Sequence, residues 1–217
     1  MQNIRVIGIC GYKQVGKDTL AAYLRHQYGY TVRKIAAPIK QMCALLFNLS
    51  EEQLTSRNKE CVDYRWNVTP RQIMQYVGTD LFQHKLAEMM PHIGKTFWIQ
   101  HLLQGYDEDR MVVADVRFLH EAAALKKLPG CVLLRLERPC LAHNDPHISE
   151  QEVGRIQVDA VIQNEGTKAQ LLQQTDTVLT RLSQQMPPLT PRVGTMHLFQ
   201  KNRYKDKDQG KEPDFSP

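Results

Sequence analysis

The 217-residue sequence has no apolar run approaching the roughly 18 residues that a membrane-spanning helix requires. Its first apolar run, IRVIGIC at residues 4–10, is short and leads straight into a glycine-rich turn. It therefore reads as a strand and not as a signal peptide. Five cysteines, at positions 10, 43, 61, 131 and 140, include no C-x-x-C pair and are odd in number. That argues against a disulfide framework and for reduced, mostly buried thiols in a cytoplasmic protein. The chain also lacks a basic stripe interleaved with aromatics. The formal charge is only +5, and the longest basic cluster, in 201–211, is interrupted by Asp206 and Asp208. Such a balance suits small anionic ligands, so neither nucleic acid nor membrane is expected as a partner. His143 and His147 have no third ligand at zinc spacing. There is no internal repeat and no credible Ser/His/Asp or Cys/His nucleophile arrangement.

What is present is a globular composition, 42% hydrophobic, in a chain long enough for a substantial core. Apolar runs of buried-strand length occur at 4–10, 31–36, 111–114, 131–136 and 158–162. Helical patterns lie between or after them: 17–28, 38–47 (Ile39, Met42, Cys43 and Leu46 on one face), 97–104, 119–127 and 168–185. Ser50 with Gln53, and Thr69 with Pro70 and Gln72, are helix-start signatures. From Thr69 the residues Ile73, Val77 and Leu81 form an apolar stripe. Strands alternating with helices predict an α/β fold, a five-stranded parallel sheet with helices on both faces. The folded domain is expected over 1–186, followed by a flexible tail at 187–217 that is rich in proline and charge.

GYKQVGKDT, residues 11–19, fits the phosphate-loop pattern G-x-x-x-x-G-K, and it lies between a strand and a helix as that motif requires. Backbone N–H groups and a helix N-terminus would cradle phosphate, with Lys17 on the outer phosphates and Lys13 a second cation. The pattern expects Ser or Thr next, as a magnesium ligand, but Asp18 stands there and Thr19 follows one place late. Two arrangements are open: Asp18 shares the metal with Thr19, or Thr19 binds it alone after a shift of the helix start. Arg71, Gln75 and Gly78 share one helical face, which suits either solvent or a phosphate and a base edge. A mid-helix glycine costs about 1 kcal/mol, so close approach to the backbone at Gly78 is expected. Asp115 ends a buried strand, where parallel sheets place ligands, and Arg117 and Glu121 follow it. Arg138, His147 and Glu150 lie in a loop-rich segment able to bring an arginine to a transferring phosphoryl group.

Taken together, GYKQVGKDT, KIAAPIKQM with LFNLS, TPRQIMQYVGTDLF, TFWIQ, VVADVRFLHEA, HISE and VDAVIQNEGT resemble the deoxynucleoside monophosphate kinases of phages and related viruses. The resemblance covers most of residues 4–182. It implies a three-layer P-loop kinase fold, with monophosphate-binding helices at about 37–105 and a short lid at about 138–152. It implies ATP and Mg²⁺, transfer of the γ-phosphoryl group to a deoxynucleoside monophosphate, and a homodimer as one plausible state. Gly11, Lys13, Val15, Gly16, Lys17, Asp18 and Thr19 would hold ATP. Asp18, Thr19 and Asp115 would face the metal. Lys40, Arg71, Gln75, Gly78, Asp80, Trp98, Glu121, His147 and Glu150 would form the acceptor side. Lys17, Asp115, Arg117 and Arg138 would act at the transferring group. An aspartate after the loop lysine is usual in this family, whereas His120 departs from its D-V-R-F-x-N-E pattern. A kinase for another phosphorylated acceptor such as phosphomevalonate, a non-catalytic nucleotide sensor and a nucleic-acid binder are the competing readings. Gln75 speaks for a base over phosphomevalonate, and the number of arginines speaks against a sensor.

Overall fold

The five apolar runs form strands β1 (Val6–Cys10), β2 (Thr31–Arg33), β3 (Met111–Val116), β4 (Cys131–Glu137) and β5 (Ala160–Gln163). The computed structural model describes residues 3–91, 93–104, 106, 110–139 and 148–189. The strands pair in the order β2-β3-β1-β4-β5, all parallel. β1 is central, and all five of its residues are buried. A strand covered on both faces cannot alternate apolar with polar, which is why VIGIC is continuously apolar.

The two faces bury different helices. Ile7 and Ile9 of β1 pack with Leu20 and Leu24 of α1 (Lys17–Tyr28) and with Leu171 and Leu179 of α9 (Lys168–Gln185). Val6 and Cys10 point the other way, toward Trp98 and Ile99 of α6 (Phe97–Leu103) and Leu125 of α7 (Leu119–Lys126). The expected three-layer α/β architecture is therefore present. Tyr23 and Tyr28 of α1 both donate to the Asp176 carboxylate of α9, at 2.7–2.8 Å, and lock the first helix to the last.

A smaller core of Cys43, Leu49, Leu54, Ile73 and Val77 joins α2 (Ala37–Phe47), α3 (Glu51–Thr55) and α4 (Pro70–Gln75). Both expected capping boxes form. The Ser50 hydroxyl accepts from Gln53 N and the Thr69 hydroxyl from Gln72 N, each at 3.2 Å, and each Gln side chain returns the bond. The α4 helix runs on through a π-helical stretch, Tyr76–Lys85, into α5 (Leu86–Met89). The i→i+5 bonding of that stretch widens the turn and rotates the later residues off the original stripe. Leu81 is accordingly 40% exposed, while Gly78, Thr79 and Gln83 are buried. Leu46, expected on the core face of α2, is also exposed. β2 stops at Arg33, short of the expected 36, because Ile35 and Ala36 turn their N–H groups onto Asp115. β3 extends past Ala114 to include Asp115.

Cys10, Cys43 and Cys131 are buried free thiols, and Cys61 is an exposed one. Among the described residues no helix is long and apolar enough to cross a membrane. Most of the expected tail, from 190 on, lies outside the described residues.

Candidate active site

The parallel strands bring their C-terminal ends to one edge of the sheet. The loops after β1, β2, β3, β4 and β5 all leave from that edge. The loop after β1 is the glycine loop. Gly11 has φ 144° and Gly16 φ 103°, backbone that side-chain-bearing residues rarely adopt. A Cβ on Gly11 would lie 2.4 Å from the Leu136 carbonyl oxygen, and one on Gly16 2.9 Å from Asn164 Nδ2. Both glycines are thus fixed by conformation and by space. Gly16 caps α1, so the first N–H groups of that helix face the loop. The Val15 side chain is fully buried in the core, so only its backbone can meet a ligand. Lys13 is half-buried beside it.

Lys17 Nζ donates to the Gly11 and Tyr12 carbonyls, at 2.6 and 2.5 Å, holding the ammonium across its own loop. The helix starts at Lys17, and the place that follows the lysine lies in its first turn. Asp18 holds it, exposed and 2.6 Å from Lys34 Nζ. Desolvation raises the Asp18 pKa, but the Lys34 hydrogen bond and charge, with Lys17 and Lys40, outweigh it and leave the carboxyl lowered. Half-buried Thr19 is the next residue of the helix.

Asp115 sits at the end of β3 and clamps the turn after β2. Its Oδ1 accepts from Ile35 N at 2.8 Å and its Oδ2 from Ala36 N at 2.9 Å. This turn launches α2 and carries Lys34 and Lys40 toward the glycine loop. Lys40 is half-buried; desolvation, then the facing charges of Lys34 and Lys59, lower its pKa, while Asp115 and Asp18 act against them. Lys59 is lowered by desolvation and then by Arg71, with Arg117 adding a smaller push. Arg71, on α4, reaches Glu60 at 3.6 Å with its side chain 13% exposed. Lys34, Lys40, Lys59, Arg71 and Arg117 thus form one basic neighbourhood beside Asp18 and Asp115. Gln75 is half-buried at the junction of α4 with the π-helical stretch, and Asp80 is exposed on that stretch.

Three expected substrate contacts take other roles. Gly78 is approached closely, as its helical position predicts, but by the protein itself: a Cβ there would lie 2.8 Å from Ile39 Cδ1. Its carbonyl accepts from Trp98 Nε1 at 2.7 Å. Trp98 is 3% exposed and packs at tilted and edge-on angles against Phe82 and Phe97, so it supports the π-helical stretch from behind. Glu121 is 3% exposed and turns back to its own helix start, accepting from Arg117 N at 2.8 Å and Phe118 N at 3.1 Å. Desolvation raises its pKa to about 8, against the lowering effect of those two N–H bonds. It positions the Arg117 backbone and offers no surface to a substrate.

Arg138 follows β4 and is exposed. His147 lies outside the described residues, and Glu150 belongs to the short helix α8 (Ile148–Gln151). Sequence reasoning missed Lys34, Lys59 and Asn164. Lys34 follows a strand at the ligand-bearing edge, which was a usable signal. Lys59 sits in a polar 3₁₀ turn, Arg57–Glu60, with no periodicity to mark it.

Comparison with known proteins points to one family. A family model described as deoxynucleotide monophosphate kinase matches residues 49–175, more than half of the chain. A candidate deoxynucleotide monophosphate kinase of Acanthamoeba polyphaga mimivirus is 37% identical over 190 residues, covering 82% of this chain and 98% of that one. The deoxynucleotide monophosphate kinase of Enterobacteria phage T4 is 24% identical over 237 residues, covering 77% and 95%. The phosphomevalonate, sensor and nucleic-acid readings do not account for these matches. The chain belongs to the deoxynucleotide monophosphate kinase family.

Proposed function

We propose that this kinase takes the γ-phosphoryl group from ATP and places it on a deoxynucleoside monophosphate, with the glycine loop holding the donor and the Lys40–Lys59–Arg71 neighbourhood holding the acceptor phosphate. The observation that carries the reading is the convergence of these groups on one sheet edge. Lys17 is held across the glycine loop, Asp18 pairs with Lys34, and Lys40 and Lys59 feel the charges of Asp18, Asp115, Arg71 and Arg117. Burial lowers Lys40 and Lys59 first and neighbouring cations lower them further, and a bound phosphate dianion would relieve both effects.

The chemistry asks for no strong base, because the attacking oxygen of a nucleoside monophosphate is already anionic at neutral pH. That oxygen forms the new bond to the γ-phosphorus, and the bond from that phosphorus to the β–γ bridging oxygen breaks, leaving ADP and a deoxynucleoside diphosphate. Lys17 moves from the Gly11 and Tyr12 carbonyls to the donor phosphates. Arg117, its backbone set by Glu121, neutralises charge between the two nucleotides, and Arg138 approaches from the β4 exit. Gln75 is placed to read the acceptor base.

The donor set suits magnesium. Asp18 and Thr19 carry hard oxygens at the loop that would hold the ion, and Asp115 retains lone pairs that would bond its water beyond its two N–H bonds. Magnesium bound there would neutralise phosphate charge as the bond breaks. The reading places the reaction in the cytoplasm, in keeping with the free thiols.

Arg71→Ala tests the assignment of sides. The acceptor KM should rise on the order of tenfold or more, as for loss of a charged hydrogen-bond partner, while the ATP KM stays within about twofold. A larger rise for ATP would put α4 on the wrong substrate.

A further inference from the structure

Asn164, just past β5, touches the glycine loop without belonging to it. Its side-chain Nδ2 donates to the Val15 carbonyl at 2.9 Å. The same nitrogen is what a Cβ on Gly16 would strike. Its backbone N donates to the Glu137 carbonyl at 2.7 Å, at the last residue of β4 and one residue before Arg138. One residue therefore fastens the donor loop to the exit of β4.

The Val15–Gly16 peptide is planar and trans, like the other described peptides of the chain. In such a unit the C=O and N–H point in opposite directions. Anchoring the Val15 oxygen on Asn164 therefore turns the Gly16 N–H away from Asn164, to the other side of the loop strand. Glycine on one side of this peptide opposes its rotation little, so the anchor adds to the restraint that buried Val15 supplies from the other side. We infer that Asn164 is a positioning residue for ATP: by holding the Val15 carbonyl outward it presents the Gly16 N–H to the donor phosphates. Asn164 need not touch the nucleotide. This rests on the loop binding ATP, as proposed above.

The test uses the full-length protein with Asn164→Ala and Asn164→Asp. The aspartate is nearly isosteric but has no N–H to donate, and its charge faces the Val15 oxygen. Mg–ATP binding is measured by calorimetry, both KM values by ADP release, and folding by thermal melting. Loss of the anchor should weaken Mg–ATP binding roughly tenfold in Asn164→Ala and more in Asn164→Asp. The acceptor KM and the melting temperature should stay near wild type. Unchanged Mg–ATP affinity in either folded variant overturns the inference while leaving the donor loop in place. Equal loss for both substrates with a lowered melting temperature also overturns it, since that marks a general structural role. If Asn164→Asp fails to fold, Asn164→Ala decides. If the wild type itself shows no saturable Mg–ATP binding, the functional reading falls and this inference falls with it.

Discussion

Glu121 shows how far a residue's role can depart from its chemistry on paper. A carboxylate following Asp115 and Arg117 looks like a ligand, yet it is buried and spends one oxygen on two backbone N–H groups. Its pKa of about 8, against 4.5 for the free side chain, means that the folded protein keeps a proton which the unfolded chain releases. Between those values the unfolded state binds fewer protons, so stability falls as pH rises from about 4.5 through about 8. The slope contributed by this one group is at most about 1.4 kcal/mol per pH unit. Glu121→Gln cannot titrate but keeps an acceptor oxygen. Melting curves of the two proteins should diverge with rising pH, the variant gaining on wild type between pH 5 and 9. Parallel curves would show that Glu121 is ionised throughout. Asp115 makes a similar departure: its carboxylate, read as a metal and nucleotide contact, first of all shapes the turn that delivers Lys34 and Lys40.

Among the elements, α4, proposed to carry the acceptor side, depends on its start. Thr69 closes a reciprocal box with Gln72, and Pro70 occupies the first turn. Thr69→Ala should cost about 1 kcal/mol, lowering the melting temperature by roughly 2–4 °C for a protein of this size. An unchanged melting point would mean that the packing of Ile73 with Cys43, Leu49 and Leu54 fixes this helix without its cap. The start of α4 was legible in the sequence because a capping box is local chemistry within four residues. So were the central strands β1, β3 and β4, because their burial on both faces leaves continuous apolar runs, and so was the glycine loop. What came after the cap was not legible. The π-helical stretch that exposes Leu81 and buries Gln83 has no local signature. The glycine at 78 was readable as a close approach, but its partners, Ile39 and Trp98, come from distant segments. Asp115 reaching Ile35 and Ala36 is likewise a contact across some eighty positions of chain. Periodicity reports which face is apolar, not what lies against it.

At the scale of the molecule, a parallel sheet with β1 at its centre gathers the chain's candidate chemistry at one edge. The glycine loop comes from the first strand, the Asp18 partner Lys34 from the second, Asp115 and Arg117 from the third, Arg138 from the fourth and Asn164 from the fifth. The family match begins at residue 49, after the glycine loop, so the loop motif and the match are independent pointers to a kinase. One polar loop residue should therefore separate fold from turnover: Lys17 is held by its own loop and lies outside the packed core. The most direct measurement is transfer of label from γ-labelled ATP, with magnesium, to each of the four deoxynucleoside monophosphates, by wild type and by Lys17→Ala. Wild type should place the label in at least one deoxynucleoside diphosphate, and the folded Lys17→Ala protein should lose at least about a hundredfold of that rate, as expected for removal of a cation at a transferring phosphoryl group. Label that appears only as free phosphate, or a Lys17→Ala variant with near-normal transfer, would contradict the account.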